Sequence, residues 1–109
     1  MNLNKNILAI ILARGGSRGV KKKNIKKLNG KPLIYYTINE VKKSKIFKNI
    51  IVSTENNEIA KVAKSYGAEV PFLRPKKFAT DRAKAIDAIY YTFKKAEKLY
   101  NIKYDYIIE

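Results

Sequence analysis

Ile7-Leu8-Ala9-Ile10-Ile11-Leu12-Ala13, running directly into Arg14-Gly15-Gly16-Ser17-Arg18-Gly19, decides how this 109-residue sequence is read. The first seven residues are apolar without alternation, the pattern of a strand buried on both faces, as in a parallel sheet. The six that follow are too rich in glycine for a helix or a strand. Seven apolar residues also fall far short of the roughly 18 needed to cross a bilayer. A buried strand opening into a glycine loop is how a ligand-binding α/β sheet begins.

The rest of the chain continues that pattern. Pro32 suits the first position of a helix, and Leu33, Ile34, Ile38 and Val41 mark its face to about Lys45. Asn49 to Thr54 reads as a second strand. Thr54 or Asn56 can cap the next helix, where Ile59, Val62, Ala63 and Tyr66 recur at i, i+3, i+4 and i+7, and Gly67 ends it in the left-handed region. Glu69 to Leu73 reads as a short third strand broken at Arg74-Pro75. Thr80 or Asp81 can cap a long third helix with Ile86, Ile89, Tyr90, Phe93, Ala96 and Tyr100 as its buried stripe, and Tyr104 to Ile108 reads as a fourth strand. Apolar strands alternating with amphipathic helices predict a Rossmann-like three-layer α/β/α fold with a mainly parallel sheet and right-handed crossovers.

Composition narrows the chemistry. There is neither cysteine nor histidine, which excludes a disulfide framework, a thiolate or imidazole metal site, a cysteine nucleophile and imidazole acid–base catalysis. The 24 Lys and Arg against 9 Asp and Glu leave a formal charge of +15, which invites a nucleic-acid reading. Yet 20 of the basic residues are lysine, and Lys, Ile and Asn together supply 45 of the 109 residues, the signature of A/T-rich codons. Proteins that read nucleic acid lean on arginine's bidentate fork, and here there are only Arg14, Arg18, Arg74 and Arg82. Most lysines read as solvated helix faces; Lys21 to Lys27, with five lysines in seven residues, is the exception. The first six residues lack the features of a signal peptide, so the expected location is cytoplasmic.

In open α/β sheets, ligands bind beyond the carboxyl ends of the strands, where the Arg14 to Asn24 segment falls. Glycines bring backbone N–H groups close to an anion, and the basic side chains of the same loop neutralise it, so the expected ligand is a phosphate-bearing nucleotide. Two familiar phosphate loops are excluded. The fifth position after Gly15 is Val20, which breaks the Walker pattern, and Gly15, Gly16 and Gly19 have the wrong spacing for a dinucleotide fingerprint. The blander reading is a surface loop whose glycines only turn the chain. A reading from another class is a non-enzymatic basic module that binds nucleotides or nucleic acid through the Lys21–Lys27 loop. The placement of the aromatics, mainly on apolar helix stripes rather than on an exposed stacking platform, argues against it.

Taken together, Leu12-Ala13-Arg14-Gly15-Gly16-Ser17-Arg18-Gly19, Lys23-Asn24-Ile25 and Gly30-Lys31-Pro32-Leu33 resemble the signature of the acylneuraminate cytidylyltransferases, the CMP-sialic acid and CMP-nonulosonic acid synthetases. The likeness continues through Ile51-Val52-Ser53-Thr54, Glu58-Ile59-Ala60, Tyr66 to Val70, Leu73-Arg74-Pro75 and Ala79-Thr80-Asp81. It implies a fold of the nucleotide-diphospho-sugar transferase type, truncated. Residues 1–109 would form the nucleotide-binding half of a cytidylyltransferase domain, with the sugar-binding, metal-binding and dimerisation half absent.

The resemblance further implies that CTP and a nonulosonic acid are the substrates, that Mg²⁺ is the cofactor without ligands in this chain, and that the family's active form is a homodimer. Residue by residue, it makes Arg14 and Lys23 the catalytic pair contacting the triphosphate, and Leu12, Ala13, Gly15, Gly16, Ser17, Asn24 and Arg74 nucleotide-binding, with Arg74 near the cytosine. Arg74 can instead stack on Pro75 or pair with Glu69, and Asp81 can serve as a helix cap rather than a ligand contact. Glu55 stands where the family usually has aspartate, a change that is tolerable if the carboxylate caps the next helix. The Asp81-Arg82 pair, with Ala85 where sialic acid members commonly carry serine, is similar to members acting on legionaminic or pseudaminic acid.

Overall fold

In a computed structural model of the chain, the residues described are 5–15, 27–28, 30–78 and 85–109. Along the chain the elements are β1 (Ile7–Leu12), β2 (Lys27–Leu28), β3 (Lys31–Pro32), α1 (Leu33–Ser44), β4 (Asn49–Ser53), α2 (Asn57–Ser65), a 3₁₀ turn (Lys76–Phe78), α3 (Ala85–Tyr100) and β5 (Tyr106–Ile108). β1 is the centre of a parallel sheet ordered β4-β1-β5. Leu8 to Leu12 pair with Asn49 to Ser53 on one side, and Ile7 to Ala9 with Tyr106 to Ile108 on the other. β2 and β3 form a small antiparallel ladder about a turn at Gly30, whose φ of +82° is one that glycine adopts without a Cβ penalty.

The unbroken apolar run of β1 now has its cause. Leu8 and Ile10, with Ile51 of β4, pack against Ala96, Ile89 and Phe93 of α3. Ile11 and Ala13, with Val52 of β4, face Ile34 and Ile38 of α1 and Ile59, Ala60 and Ala63 of α2. Successive strand residues point to opposite faces, and both faces are covered by helix, so neither can be polar. The result is the three-layer α/β/α arrangement with a parallel sheet that the sequence predicts.

Local signals explain the helix ends. Of the two candidates for the cap of α2, Asn56 is used: its side chain accepts the Ile59 N–H at 3.0 Å, while Thr54 Oγ1 accepts the Asn56 N–H at 3.1 Å. Gly67 follows α2 at φ +96°. Pro32 stands one residue before the first turn of α1, with extended dihedrals, rather than inside it. Leu33, expected on the buried face of α1, is exposed.

Three other expectations need correction. The strand expected over Glu69–Leu73 is a single parallel bridge, Glu69 to Ile51. Glu69 donates to Ile50 O at 2.8 Å and its own carbonyl accepts the Val52 N–H at 3.0 Å. Two residues on, Pro71 has no N–H to offer, so the ladder cannot propagate. The stripe of α3 is rotated from the expected one. Ala88, Thr92 and Ala96 are its buried residues, Ile89, Phe93 and Tyr100 are half-buried, and Ile86 and Tyr90 are 64% and 62% exposed. Small residues on the inner face let the helix axis approach the sheet closely, and large ones are carried to its flanks. Lastly, β5 begins at Tyr106, because Asp105 and Asn6 first exchange hydrogen bonds outside the ladder, Asp105 N–H to Asn6 O at 2.7 Å and Asn6 N–H to Asp105 Oδ2 at 2.8 Å. The candidate caps Thr80 and Asp81 lie outside the described residues.

Candidate functional site at the carboxyl ends of β1 and β4

Five of the residues singled out in the sequence gather where β1 and β4 end. Leu12 closes β1, and Ala13, Arg14 and Gly15 follow it out of the sheet. Ala13 is buried, and its N–H donates to Ser53 O at 3.0 Å, extending the ladder one step past the strand. Arg74 arrives from the segment beyond the Glu69 bridge, and its backbone N–H donates to Thr54 O at 2.8 Å. Gly16, Ser17, Lys23 and Asn24 lie outside the described residues.

Arg74 is only 4% exposed. The expected alternative of pairing with Glu69 does not appear among its hydrogen bonds. Its Nη1 donates to Ser53 O and to Ser53 Oγ, both at 3.1 Å, while Nε lacks a hydrogen-bond partner among the described residues. Glu69 is engaged elsewhere, accepting from Tyr100 Oη at 2.7 Å and from Asn49 Nδ2 at 3.2 Å. Burial lowers the pKa of the Arg74 guanidinium; the nearby Glu55 carboxylate opposes that shift and the Arg14 charge adds to it. The Glu55 and Arg14 charges thus act on the Arg74 guanidinium in opposite senses.

The hydroxyl chain beneath this cluster has a defined direction. Thr92 Oγ1 donates to Ala88 O at 2.8 Å, which uses its only proton. The 2.7 Å contact between Ser53 Oγ and Thr92 Oγ1 must then run from serine to threonine, leaving Ser53 Oγ to accept from Arg74. Protons thus point from Arg74 through Ser53 and Thr92 into α3. Every buried oxygen in the relay is satisfied, and the relay ties the carboxyl end of β4 to the helix layer behind it.

Glu55 is the residue whose position the sequence did not reveal. It does not cap α2, since Asn56 holds that place. Its two carboxylate oxygens accept the Gly15 N–H at 2.9 and 3.1 Å. Ser53 and Thr92 were likewise not singled out as neighbours of the site. A serine at a strand end and a threonine in a helix carry no local signal that they will meet. Among the described residues, no group of three Asp, Glu, His or Cys side chains could hold a metal ion, and no helix is long and apolar enough to cross a membrane.

Comparison with known proteins completes the picture. A family described as Cytidylyltransferase matches residues 8–105. Over 103 residues the chain is 44% identical to the Post-translational flagellin modification protein B of Campylobacter coli and 42% identical to the CMP-N,N'-diacetyllegionaminic acid synthase of Campylobacter jejuni, in each case 94% of this chain and 44% of the relative. It is 45% identical over 82 residues to a pseudaminic acid cytidylyltransferase of Campylobacter jejuni, covering 75% of this chain and 35% of the relative. The chain thus spans less than half the length of these curated relatives. Among solved structures, a CMP:2-keto-3-deoxy-manno-octonic acid synthetase complexed with CTP superposes with a TM-score of 0.71 at 17% identity, over 94% of this chain and 38% of that one. That likeness shows the fold. The match across residues 8–105, on a parallel sheet with its glycine loop leaving the central strand, shows that the chain belongs to the cytidylyltransferase family.

Proposed function

We propose that the chain is the nucleotide-binding part of a CTP-dependent cytidylyltransferase that activates a nonulosonic acid, giving the CMP-sugar and pyrophosphate. The observation that carries this reading is the family match across residues 8–105. The legionaminic and pseudaminic acid activities in the names of relatives at 42% and 45% identity support the sugar class, and the CTP in the structural neighbour supports the nucleotide.

In the proposed reaction the anomeric hydroxyl oxygen of the sugar acid bonds to the α-phosphorus of CTP. The bond from that phosphorus to the oxygen bridging the β-phosphorus breaks, pyrophosphate leaves with the electron pair, and the hydroxyl proton is released. Such a transfer needs positioning and charge neutralisation more than covalent help. That demand suits a chain with no histidine or cysteine. Arg14 and Lys23 neutralise the triphosphate, Gly16 and Ser17 cradle it, and Asn24, Leu12 and Ala13 contact the nucleotide. Gly15, whose N–H is given to Glu55, contributes by letting the backbone turn closely past the end of β4. Arg74 contributes a buried cation beneath the site.

Mg²⁺, bound to the triphosphate, would supply further charge neutralisation, and a homodimer would be the active form. Among the described residues no group of three or more Asp, Glu, His or Cys side chains could hold the ion, and the Glu55 carboxylate is engaged by the Gly15 N–H.

Calorimetric titration with CTP tests the reading. CTP binds, and the Arg14→Ala, Lys23→Ala double variant weakens binding by about tenfold or more, the loss of two charge-assisted contacts. Unchanged affinity in the double variant would sink the site, and stronger, steeply salt-dependent binding to random duplex DNA than to CTP would replace the reading with that of a basic module.

A further inference from the structure

The turn between β4 and α2 carries a carboxylate to which the transfer reaction gives no task. We propose that Glu55 is a positioning residue for the root of the segment leaving β1: its carboxylate takes the Gly15 N–H and fixes the direction in which Arg14 and Gly15 leave the sheet. The consequence for nucleotide affinity rests on the function proposed above. The joint itself is a property of the free chain.

Three observations converge on it. First, both oxygens of Glu55 lie within hydrogen-bonding distance of one N–H, at 2.9 and 3.1 Å, across 40 residues of sequence. A charged acceptor makes such a bond stronger than a neutral one does. Second, the joint is tight. A Cβ at position 15 would stand 2.8 Å from Glu55 Oε2, 2.7 Å from Asn56 Nδ2 and 3.1 Å from Asn56 Cβ. Gly15 is therefore glycine because the loop root presses on the β4–α2 turn. Third, the far wall of the joint cannot give way, since Asn56 is held at both ends, its N–H by Thr54 Oγ1 and its side-chain oxygen by the Ile59 N–H.

Charge adds a second task for the same side chain. Arg14 leaves the end of β1 while Arg74 is pinned below on Ser53. The Glu55 carboxylate favours the charged form of Arg74, which the Arg14 charge disfavours, so it offsets the repulsion that Arg14 exerts on that guanidinium. An opposite role would be that of a stand-in, with Glu55 occupying the place of a phosphate and being expelled by it. The two roles differ in sign. Removing a stand-in frees an N–H and deletes a repelling charge, so triphosphate binds more tightly; removing a brace loosens the loop, so it binds more weakly.

The test pairs amide hydrogen exchange at Gly15 with calorimetric titration of CTP, in the full chain and its Glu55→Ala and Glu55→Gln variants. In Glu55→Ala the Gly15 amide exchanges about tenfold faster or more while the amides of β1 keep their protection, and CTP affinity falls about tenfold. Glu55→Gln, which keeps one acceptor oxygen, falls between the two. The β1 amides are the internal measure of global stability, so a general loss of folding is read apart from loosening of the joint. Unchanged exchange at Gly15 in Glu55→Ala overturns the proposal, as does tighter CTP binding by that variant. If the unmodified chain binds no CTP, the proposed function fails, and exchange at Gly15 alone still decides the joint.

Discussion

Replacing Thr92 by valine tests the hydroxyl relay with almost no change of shape. Thr92 and Ser53 are 0% and 1% exposed, so water cannot substitute for either group. In Thr92→Val the Ser53 hydroxyl, which points at Thr92 Oγ1 across 2.7 Å, loses its acceptor while still receiving the Arg74 bond. A buried donor left unsatisfied costs about 1–3 kcal/mol. The lost Thr92 bond to Ala88 O adds little, because that carbonyl still receives its helical N–H. At roughly 4 °C or more per kcal/mol for a domain of this size, Tm falls by about 5–10 °C.

Ser53→Ala costs less, about 1 kcal/mol, because Thr92 keeps its bond to Ala88 O and Arg74 Nη1 keeps Ser53 O. In the double variant neither hydroxyl remains to be orphaned. Its cost falls short of the sum of the two by about 1 kcal/mol, the coupling expected of residues in one network. Thermal melts of the four proteins at one concentration supply the cycle. Additive costs, or a Thr92→Val variant within about 0.5 kcal/mol of the parent, would mean that the proton direction assigned to the relay is wrong.

Other expectations can be checked separately. Burial, reinforced by Glu69 and Glu97, raises the pKa of Tyr104 to about 12, against about 10 in an unfolded chain. A folded pKa above the unfolded one means that this group's stabilisation is complete below about pH 10 and is lost as pH climbs toward 12. Tyr104→Phe should therefore show a shallower alkaline loss of stability over that window in urea melts, while forfeiting the hydroxyl's bond to Asn49 Oδ1. Equal slopes would remove Tyr104 as the cause. Gly67→Ala costs about 1 kcal/mol through its φ of +96°. A Cβ there meets only the end of the flexible Lys42 side chain, so Lys42→Ala should not rescue it.

The sequence alone determined the layers and their order. A strand buried on both faces has to be written as an unbroken apolar run, and Ile7 to Ala13 is one. The cap at Asn56 and the left-handed stop at Gly67 are local chemistry, legible within a few residues. The family was legible for a related reason, since Arg14 to Lys31 is contiguous in the chain.

Tertiary structure decided what depended on meetings between distant segments. It cut the third strand to one bridge, because pairing fails where Pro71 would have to donate to β4. It rotated α3 so that Ala88, Thr92 and Ala96 face inward, because close approach to the sheet favours small residues over the large Ile86 and Tyr90. It brought Glu55 to Gly15 across 40 residues, and Arg74 to Ser53 across 21. Hydrophobic pattern is a property of each segment and survives in one dimension. The partners of a buried charge or of a backbone N–H are set by which ends the parallel sheet lays side by side, and no spacing along the chain records that.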